Sequence, residues 1–214
     1  MKRSKTSKGW MKEHVNDEFV QRATREGMRS RAAYKLMEID DHDHLIHPGQ
    51  TLIDLGAAPG GWSEVAAKRL AGRGRVIAVD LLEMNPLNGV DFIQGDFSDP
   101  DTLERINALV HGLADLVISD MAPNISGISL SDQARAMALA ELALEFAQNR
   151  LKPDGSFLVK VFQGSGFEEF YRMLRNTFMQ VHTRKPRASR DRSSELYLLG
   201  RHLKLDRPIP EASR

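Results

Sequence analysis

The stretch that decides the fold is TLIDLGAAPGGW, residues 51–62, where a short apolar segment runs into a glycine-rich turn. Residues Thr51–Leu55 predict a buried parallel strand, and a helical pattern follows the turn. The glycines of the turn are Gly56, Gly60 and Gly61, which let the backbone turn sharply and approach a ligand closely. Ligands of open α/β sheets bind at the carboxyl ends of the strands. The stretch therefore predicts a site for a nucleoside-containing cofactor at Asp54–Trp62.

Working outward, apolar segments alternate with helical patterns as far as Leu199. The further predicted strands are Arg75–Asp80, Val90–Gln94, Asp115–Ser119, Gly155–Phe162 and Glu195–Leu199. The predicted helices between them are Ser63–Leu70, Pro100–Val110, Ser131–Leu151 and Phe167–Thr177. This alternation implies right-handed crossovers and a doubly wound α/β sheet of the Rossmann-like type. We expect Glu195–Leu199 to pair antiparallel at or near the sheet edge.

The ends of the chain show weaker patterns. Asn16–Glu26 and Ser30–Ile39 predict two helices outside the sheet, whereas Met1–Gly9 is polar and is expected to be disordered. Residues 201–214 have no periodicity and are interpreted as a tail. With 214 residues in all, the chain suits one domain, 1–214.

Composition excludes several classes of site and location. The sequence has no cysteine, so it can form neither disulfides nor zinc–thiolate sites. No apolar run approaches the ~20 residues of a membrane helix, and the N-terminus lacks the apolar core of a signal peptide. We therefore expect a cytoplasmic protein without a membrane partner. We also expect a monomer.

Charge is distributed unevenly although the net charge is only +1. Met1–Lys35 has a local charge of +6 and Arg184–Arg192 of +4, whereas Leu36–Thr183 has −10. Two basic segments flanking an acidic body are typical of a polyanion partner, because each neutralised phosphate releases counterions. Solvated surface segments would explain the same charge pattern about equally well.

The cofactor class follows from the turn and from four carboxylates. A dinucleotide site requires G-x-G-x-x-G, but residues 56–61 read G-A-A-P-G-G. Acidic residues lie in or at the end of four predicted strands, at Asp54, Asp80, Asp96 and Asp120. S-adenosylmethionine has a sulfonium, an α-ammonium group and no phosphate, so it favours acidic strand ends. We assign Asp80 to the ribose and Asp96 to the adenine amino group.

Five motifs at this spacing resemble the FtsJ/RrmJ family of 2′-O-ribose methyltransferases. They are RSRAAYKL at 29–36, DLGAAPGGW at 54–62, GVDFIQGDF at 89–97, SDMAPN at 119–124 and VKVFQG at 159–164. The resemblance extends from about Trp10 to Gly200. Leu81–Pro86 (LLEMNP) departs from the family's Leu-Leu-Pro-Met-Asp-Pro.

The resemblance implies a seven-stranded, mostly parallel sheet with one antiparallel strand, and S-adenosylmethionine as the donor. It also implies a catalytic tetrad, here Lys35, Asp120, Lys160 and Glu195, and cofactor contacts from Trp62 and Phe97. The implied substrate is a uridine in the A-loop of large-subunit ribosomal RNA, on the assembled subunit.

The tetrad residues are chemically suited to this reaction. A ribose hydroxyl is a poor nucleophile, so an enzyme must align it and help its proton leave. Repulsion between two lysines in a partly dry site favours the neutral form of one. We predict that Lys160 is the base or orients the hydroxyl, that Lys35 orients the target ribose or phosphate, and that Glu195 positions the lysines.

The basic segments provide the predicted RNA contacts. These residues are Arg22, Arg25, Arg29, Arg31, Lys35, Arg184, Lys185, Arg187, Arg190 and Arg192. The segments contain no interleaved aromatic residues for base stacking, so specificity should come largely from RNA shape.

Three other functions remain open at this stage: a nicotinamide-dependent oxidoreductase, a small-molecule O-methyltransferase and a non-catalytic RNA-binding assembly factor. His42, His44 and His47 suggest a metal cluster, but they lie in a polar link and the proposed chemistry needs no metal. We therefore predict no metal site.

Overall fold

A computed structural model describes residues 17–123, 129–189 and 193–204. Seven strands form one sheet in the order β3-β2-β1-β4-β5-β7-β6. Neighbouring strands from β3 to β5 are parallel, whereas β7 is antiparallel to both β5 and β6. Because β1 and β4 lie at the point where the strand order reverses, their carboxyl ends flank the crevice where such sheets bind ligands.

The elements have the following bounds. The strands are β1 Thr51–Leu55, β2 Arg75–Asp80, β3 Val90–Gln94, β4 Ala114–Ser119, β5 Leu151–Phe162, β6 Phe178–Arg184 and β7 Glu195–Leu203. The helices are α1 Glu18–Glu26, α2 Ala33–Asp43, α3 Gly61–Leu70, α4 Pro100–Val110, α5 Ser129–Arg150 and α6 Phe167–Thr177.

The predicted α/β sheet with one antiparallel strand is confirmed. The first three strands and two of the helices have the predicted bounds, and the other elements differ by a few residues at their ends. One strand of the sheet, β6, was not located in the sequence. It forms the sheet edge, and β7 lies one position inside it. Asn124, Arg190, Arg192 and the segment Met1–Gly9 lie outside the described residues.

The sheet is covered by apolar packing on both faces. One face packs against α4, α5 and α6 through residues such as Ile106, Leu144 and Phe170. The other packs against α2 and α3 through residues such as Leu36 and Val65. Helix α2 is therefore held by its apolar face over the sheet, which places its polar residues near the strand ends.

An ion pair fastens the end of α2 to the edge strands. Both oxygens of the buried Asp43 carboxylate accept hydrogen bonds from the Arg184 guanidinium, each at 2.6 Å. Arg201 also donates to the Asp43 carbonyl. Burial alone would raise the pKa of Asp43, but the hydrogen bonds and charge of Arg184 outweigh it and lower that pKa. The charge of Arg184 is thus neutralised inside the fold.

None of the helices in the described ranges is both long enough and apolar enough to cross a membrane.

Replacing Arg184 with alanine should lower the free energy of unfolding by about 3 kcal/mol, because it leaves a buried carboxylate without its main partner. Urea denaturation at neutral pH measures this. The loss should shrink as the pH falls through the lowered pKa of Asp43, since protonation removes the charge that Arg184 neutralises. The control is Lys152→Ala, which breaks an exposed pair with Asp115 and should cost less than about 1 kcal/mol. Equal effects would contradict a structural role for Arg184.

Candidate active site

The four residues of the predicted tetrad come from four separate elements. Lys35 lies in the first turn of α2, Asp120 directly follows β4, Lys160 is near the end of β5, and Glu195 opens β7. In the β5–β7 ladder, Phe162 pairs with Glu195 and Lys160 with Tyr197. The pairing of β5 with β7 thus brings Lys160 and Glu195, which are 35 residues apart in the sequence, to the same end of the sheet. Helix α2, which packs on one face of the sheet, contributes Lys35.

The tetrad side chains form a connected network of charges. Lys35 Nζ lies 2.7 Å from Glu195 Oε1 and 4.0 Å from Asp120 Oδ1. Lys160 Nζ lies 3.1 Å from the same Asp120 oxygen and also donates to the Asp120 carbonyl. The side chains are 7–17% exposed, so two positive and two negative groups share a nearly dry site. Such a cluster is tolerated in a folded protein only when each charge has partners.

Two residues that sequence reasoning missed complete the network. The Tyr197 hydroxyl lies 2.7 Å from Asp120 Oδ1 and 3.3 Å from Glu195 Oε1. The Ser189 hydroxyl donates to the same Glu195 oxygen at 2.9 Å. Tyr197 stands two residues after Glu195, so the period-2 geometry of a strand could have indicated a shared face. Nothing in the sequence pattern singles out Ser189.

The network shifts the acidity of two of its members. Burial raises the pKa of Glu195, but the charges of Lys35 and Lys160, together with hydrogen bonds, outweigh it and leave that pKa below its ordinary value. Burial and the neighbouring carboxylates raise the pKa of the Tyr197 phenol well above its ordinary value. Glu195 is therefore a carboxylate at neutral pH, and Tyr197 remains a neutral hydrogen-bond donor.

The glycine-rich turn after β1 has most of its backbone amides bonded within the protein. The amides of Gly56 and Ala57 donate to Val79 O, that of Ala58 to the Asp80 carboxylate, and that of Gly60 to Ala57 O. Pro59 has no amide hydrogen. A pyrophosphate would therefore find no free N–H between residues 56 and 60, which disfavours a dinucleotide at this turn.

Gly56 is required by its surroundings as well as by its backbone. Its φ is +73°, and a Cβ atom there would lie 2.2 Å from the side chain of Met121. The loop that follows Asp120 therefore packs directly against the turn. The glycine-rich turn is therefore adjacent to the segment that carries Asp120 of the tetrad.

Two predicted cofactor contacts face the interior of the protein. Asp54 is 1% exposed and accepts a hydrogen bond from the Ser63 hydroxyl at 2.6 Å. Burial raises its pKa to about 7, against the opposing effect of the Ser63 bond. Trp62 is 3% exposed and donates to Ala32 O at 2.9 Å, with its ring 5.6 Å from that of Tyr197. In this arrangement both residues stabilise the site through contacts inside the protein.

The remaining acidic residues fit an S-adenosyl donor. Asp80 and Asp96 are half-buried at the ends of β2 and β3. The oxygens of Asp80 accept from the Ala58 and Leu82 amides at 2.8 Å, which fixes the carboxylate while each oxygen keeps a lone pair for a ligand hydroxyl. Asp96 Oδ1 accepts from Ser98. Phe97, beside it, is partly buried against Phe146. Hydroxyl and cationic groups suit these acceptors, and the engaged amides do not suit a phosphate.

Several residues of the predicted RNA surface have partners inside the protein. Arg29 donates to three backbone carbonyls, Arg31 binds Asp17 and Ala188 O, and Arg184 binds Asp43. Lys185 donates to the carbonyls of Ser193 and Glu195. These four residues stabilise the loops and helices around the site.

Other basic residues remain at the surface. Arg22, Arg25 and Arg187 line an open groove of about 770 Å³ between α1, α2 and the loop that follows β6. Arg25 is 76% exposed, whereas Arg22 binds Glu26 and lies over the Tyr34 ring. Phe19 also lines the groove, together with Glu18, Gln21 and Glu38.

Within the described ranges, no group of three or more His, Cys, Asp or Glu side chains is placed to hold a metal ion. His42 is largely exposed and lies 3.4 Å from Asp43.

Comparisons with known proteins identify the family of the chain. Residues 28–203 match the model of the FtsJ-like methyltransferase family. A protein of Methylobacillus flagellatus named ribosomal RNA large subunit methyltransferase E is 65% identical over 201 residues, covering 94% of this chain and 97% of that protein. A protein of the same name from Nitrosospira multiformis is 64% identical, covering 94% of this chain and 98% of its own length.

A crystal structure shows the same architecture. A Plasmodium falciparum chain described as a ribosomal RNA methyltransferase superposes with a TM-score of 0.74 at 27% identity, covering 82% of this chain and 98% of that one. The FtsJ/RrmJ resemblance is thereby confirmed, and the chain belongs to the family of FtsJ-like methyltransferases.

Proposed function

We propose that this protein transfers a methyl group from S-adenosylmethionine to the ribose 2′-hydroxyl of a uridine in large-subunit ribosomal RNA. In this proposal the uridine lies in the A-loop and is presented on the assembled large subunit, in the cytoplasm, as a step of ribosome maturation. The named relatives support the RNA class. The uridine, the loop and the assembled subunit rest on the resemblance described above.

The observation that supports this function best is the tetrad beside the cofactor turn. A site that only binds RNA has no need for two nearly buried lysines that share one carboxylate oxygen. Burying charge is costly even with good partners, and clusters of nearly buried charges are therefore often functional sites. A site for 2′-O transfer needs such groups, because it must hold a hydroxyl against the donor and remove a proton.

The donor supplies an activated methyl group on a sulfonium, and the ribose oxygen forms its new bond to carbon as the carbon–sulfur bond breaks. Lys160 either accepts the hydroxyl proton or orients the hydroxyl. Asp120 holds Lys160 at 3.1 Å, and the Tyr197 hydroxyl donates to the same Asp120 oxygen at 2.7 Å. Lys35, held by Glu195 at 2.7 Å, orients the ribose or its phosphate. The gain comes from alignment and proton removal together.

Replacing Lys160 with alanine should reduce methyl transfer to large ribosomal subunits by about 10²–10⁴-fold, because it removes the group that handles the hydroxyl proton. Mass spectrometry of 2′-O-methyl nucleosides in isolated ribosomal RNA measures the product and its position. Lys152→Ala, an exposed lysine on the same strand, is the matched control and should retain activity. A Lys160→Ala protein with full activity would contradict the mechanism, and no product from the native protein would favour a non-catalytic assembly factor.

The donor proposal predicts a selective cofactor affinity. S-adenosylhomocysteine should bind measurably in calorimetry, whereas NADH should not, because the amides of residues 56–60 are already bonded or, at Pro59, absent. Asp80→Asn should weaken binding about tenfold by removing the charge that a ribose hydroxyl meets. Asp91→Asn, an exposed residue on β3, is the control. NADH binding with an affinity equal to that of S-adenosylhomocysteine would favour the oxidoreductase alternative.

The RNA interface proposal places phosphate contacts on the groove that contains Arg22, Arg25 and Arg187. Binding of a large-subunit RNA fragment should weaken steeply with salt, and Arg25→Ala should reduce the log–log slope by about 0.7–0.9, the contribution of one phosphate. Arg172→Ala on α6 is the control, since α6 packs on the opposite face of the sheet. A flat salt dependence of the native protein would rule out this interface and favour a small-molecule acceptor.

A further inference from the structure

Arg29 lies in the link between α1 and α2, one residue before the segment Ser30–Ala32 that leads to α2. Its guanidinium donates to three backbone carbonyls: Nη1 to Pro59 O at 3.3 Å and to Asn85 O at 2.7 Å, and Nη2 to Pro86 O at 2.6 Å. Its backbone amide donates to the Glu64 carboxylate at 3.0 Å. The side chain thus meets two loops that are 27 residues apart in the sequence.

Both loops meet at Asp80, the residue assigned to the ribose of the donor. Pro59 is in the glycine-rich turn, whose Ala58 amide donates to the Asp80 carboxylate, and Asn85 and Pro86 lie in the loop that begins after Asp80. Only a planar guanidinium presents several N–H groups in fixed directions, so arginine can join both loops at once. A lysine at this position would carry the same charge but could not form the same set of hydrogen bonds to both loops.

The loop after Asp80 needs such a connection. Leu81 and Leu82 are 66% and 68% exposed, so they contribute little apolar packing to hold it. Met84 is 6% exposed and lies against the turn, since a Cβ on Gly60 would come within 2.9 Å of its sulfur. The same Cβ would meet Arg29 at 3.1 Å. Met84 and Arg29 therefore pack together against Gly60 and join the loop to the turn.

We propose that Arg29 is a positioning residue of the donor site, which fixes the loop Leu81–Pro86 against the glycine-rich turn, and that it is not a phosphate contact. The inference rests on the proposed donor. It replaces the RNA role predicted for Arg29 from charge alone. The three hydrogen bonds have carbonyl acceptors, so they do not depend on the side chain of Asn85.

A phosphate could recruit Arg29 only by displacing these bonds. Three hydrogen bonds from a charged donor would then be lost, and such bonds contribute more to stability than bonds between neutral groups. Arg25 differs from Arg29, because it is 76% exposed and its one ion-pair contact among the described residues is at 3.9 Å. Phosphate contacts are therefore expected at Arg25 and donor-site effects at Arg29.

The test compares Arg29→Lys and Arg29→Ala with Arg25→Ala. S-adenosylhomocysteine affinity is measured by calorimetry, and RNA affinity by filter binding over a salt series. Both Arg29 variants should bind S-adenosylhomocysteine about tenfold more weakly. They should keep the salt slope of the native protein. Arg25→Ala should keep the S-adenosylhomocysteine affinity of the native protein and show a smaller salt slope. Hydrogen–deuterium exchange without ligand should be faster for residues 81–90 in Arg29→Lys than in the native protein, with thermal unfolding as the check on overall folding.

The outcomes separate this inference from the proposed function. If the native protein binds S-adenosylhomocysteine and both Arg29 variants bind it within twofold, the inference is overturned and the proposed donor stands. If Arg29→Ala loses RNA affinity and Arg29→Lys retains it, the inference is also overturned, in favour of a phosphate contact. If the native protein does not bind S-adenosylhomocysteine, both proposals are overturned.

Discussion

The contacts of one carboxylate oxygen constrain the rest of the site. Asp120 Oδ1 lies 3.1 Å from Lys160 Nζ, 2.7 Å from the Tyr197 hydroxyl and 4.0 Å from Lys35 Nζ. A nearly buried charge cannot be left without partners, so the loop after β4, the ends of β5 and β7 and the start of α2 must all meet at this point. The apolar packing of α2 and its ion pair with Arg184 hold the fourth element in place.

The segment from Met28 to Lys35 connects the glycine-rich turn to the tetrad. Arg29 and Ala32 are bonded to the turn and to Trp62, and three residues later Lys35 enters the tetrad. Trp62 in turn packs against Tyr197, which donates to Asp120. A displacement of the turn would therefore also displace Lys35 and Tyr197. In the proposed function, this set of contacts would position both the donor and the acceptor hydroxyl.

The sequence predicted the parts of the fold that depend on short-range pattern. Strands such as Thr51–Leu55 and Arg75–Asp80 are buried on both faces, so they read as continuous apolar runs. The edge strand Phe178–Arg184 has exposed Met179 and Gln180 and only partly buried Val181 and His182, so no such run marks it. The tetrad came from motif resemblance, since Lys35 and Glu195 alone have the pattern of solvated charges. The partners of Asp54 and Arg29 depend on tertiary packing, which no local pattern encodes.

The partners of the basic residues also depend on tertiary packing, so the sequence alone does not show which of these residues are available to bind RNA. Local charge counts treat every arginine alike, but Arg31 and Arg184 are paired with Asp17 and Asp43 in the folded protein. A neutralised arginine releases no counterion on binding a phosphate, so it adds little to the salt-dependent affinity. Arg22 is likewise paired with Glu26, so Arg25 and Arg187 are the groove residues that the proposed function leaves for phosphates within the described ranges. Because that groove borders α2, the helix that presents Lys35, phosphates held there would lead the ribose towards the tetrad.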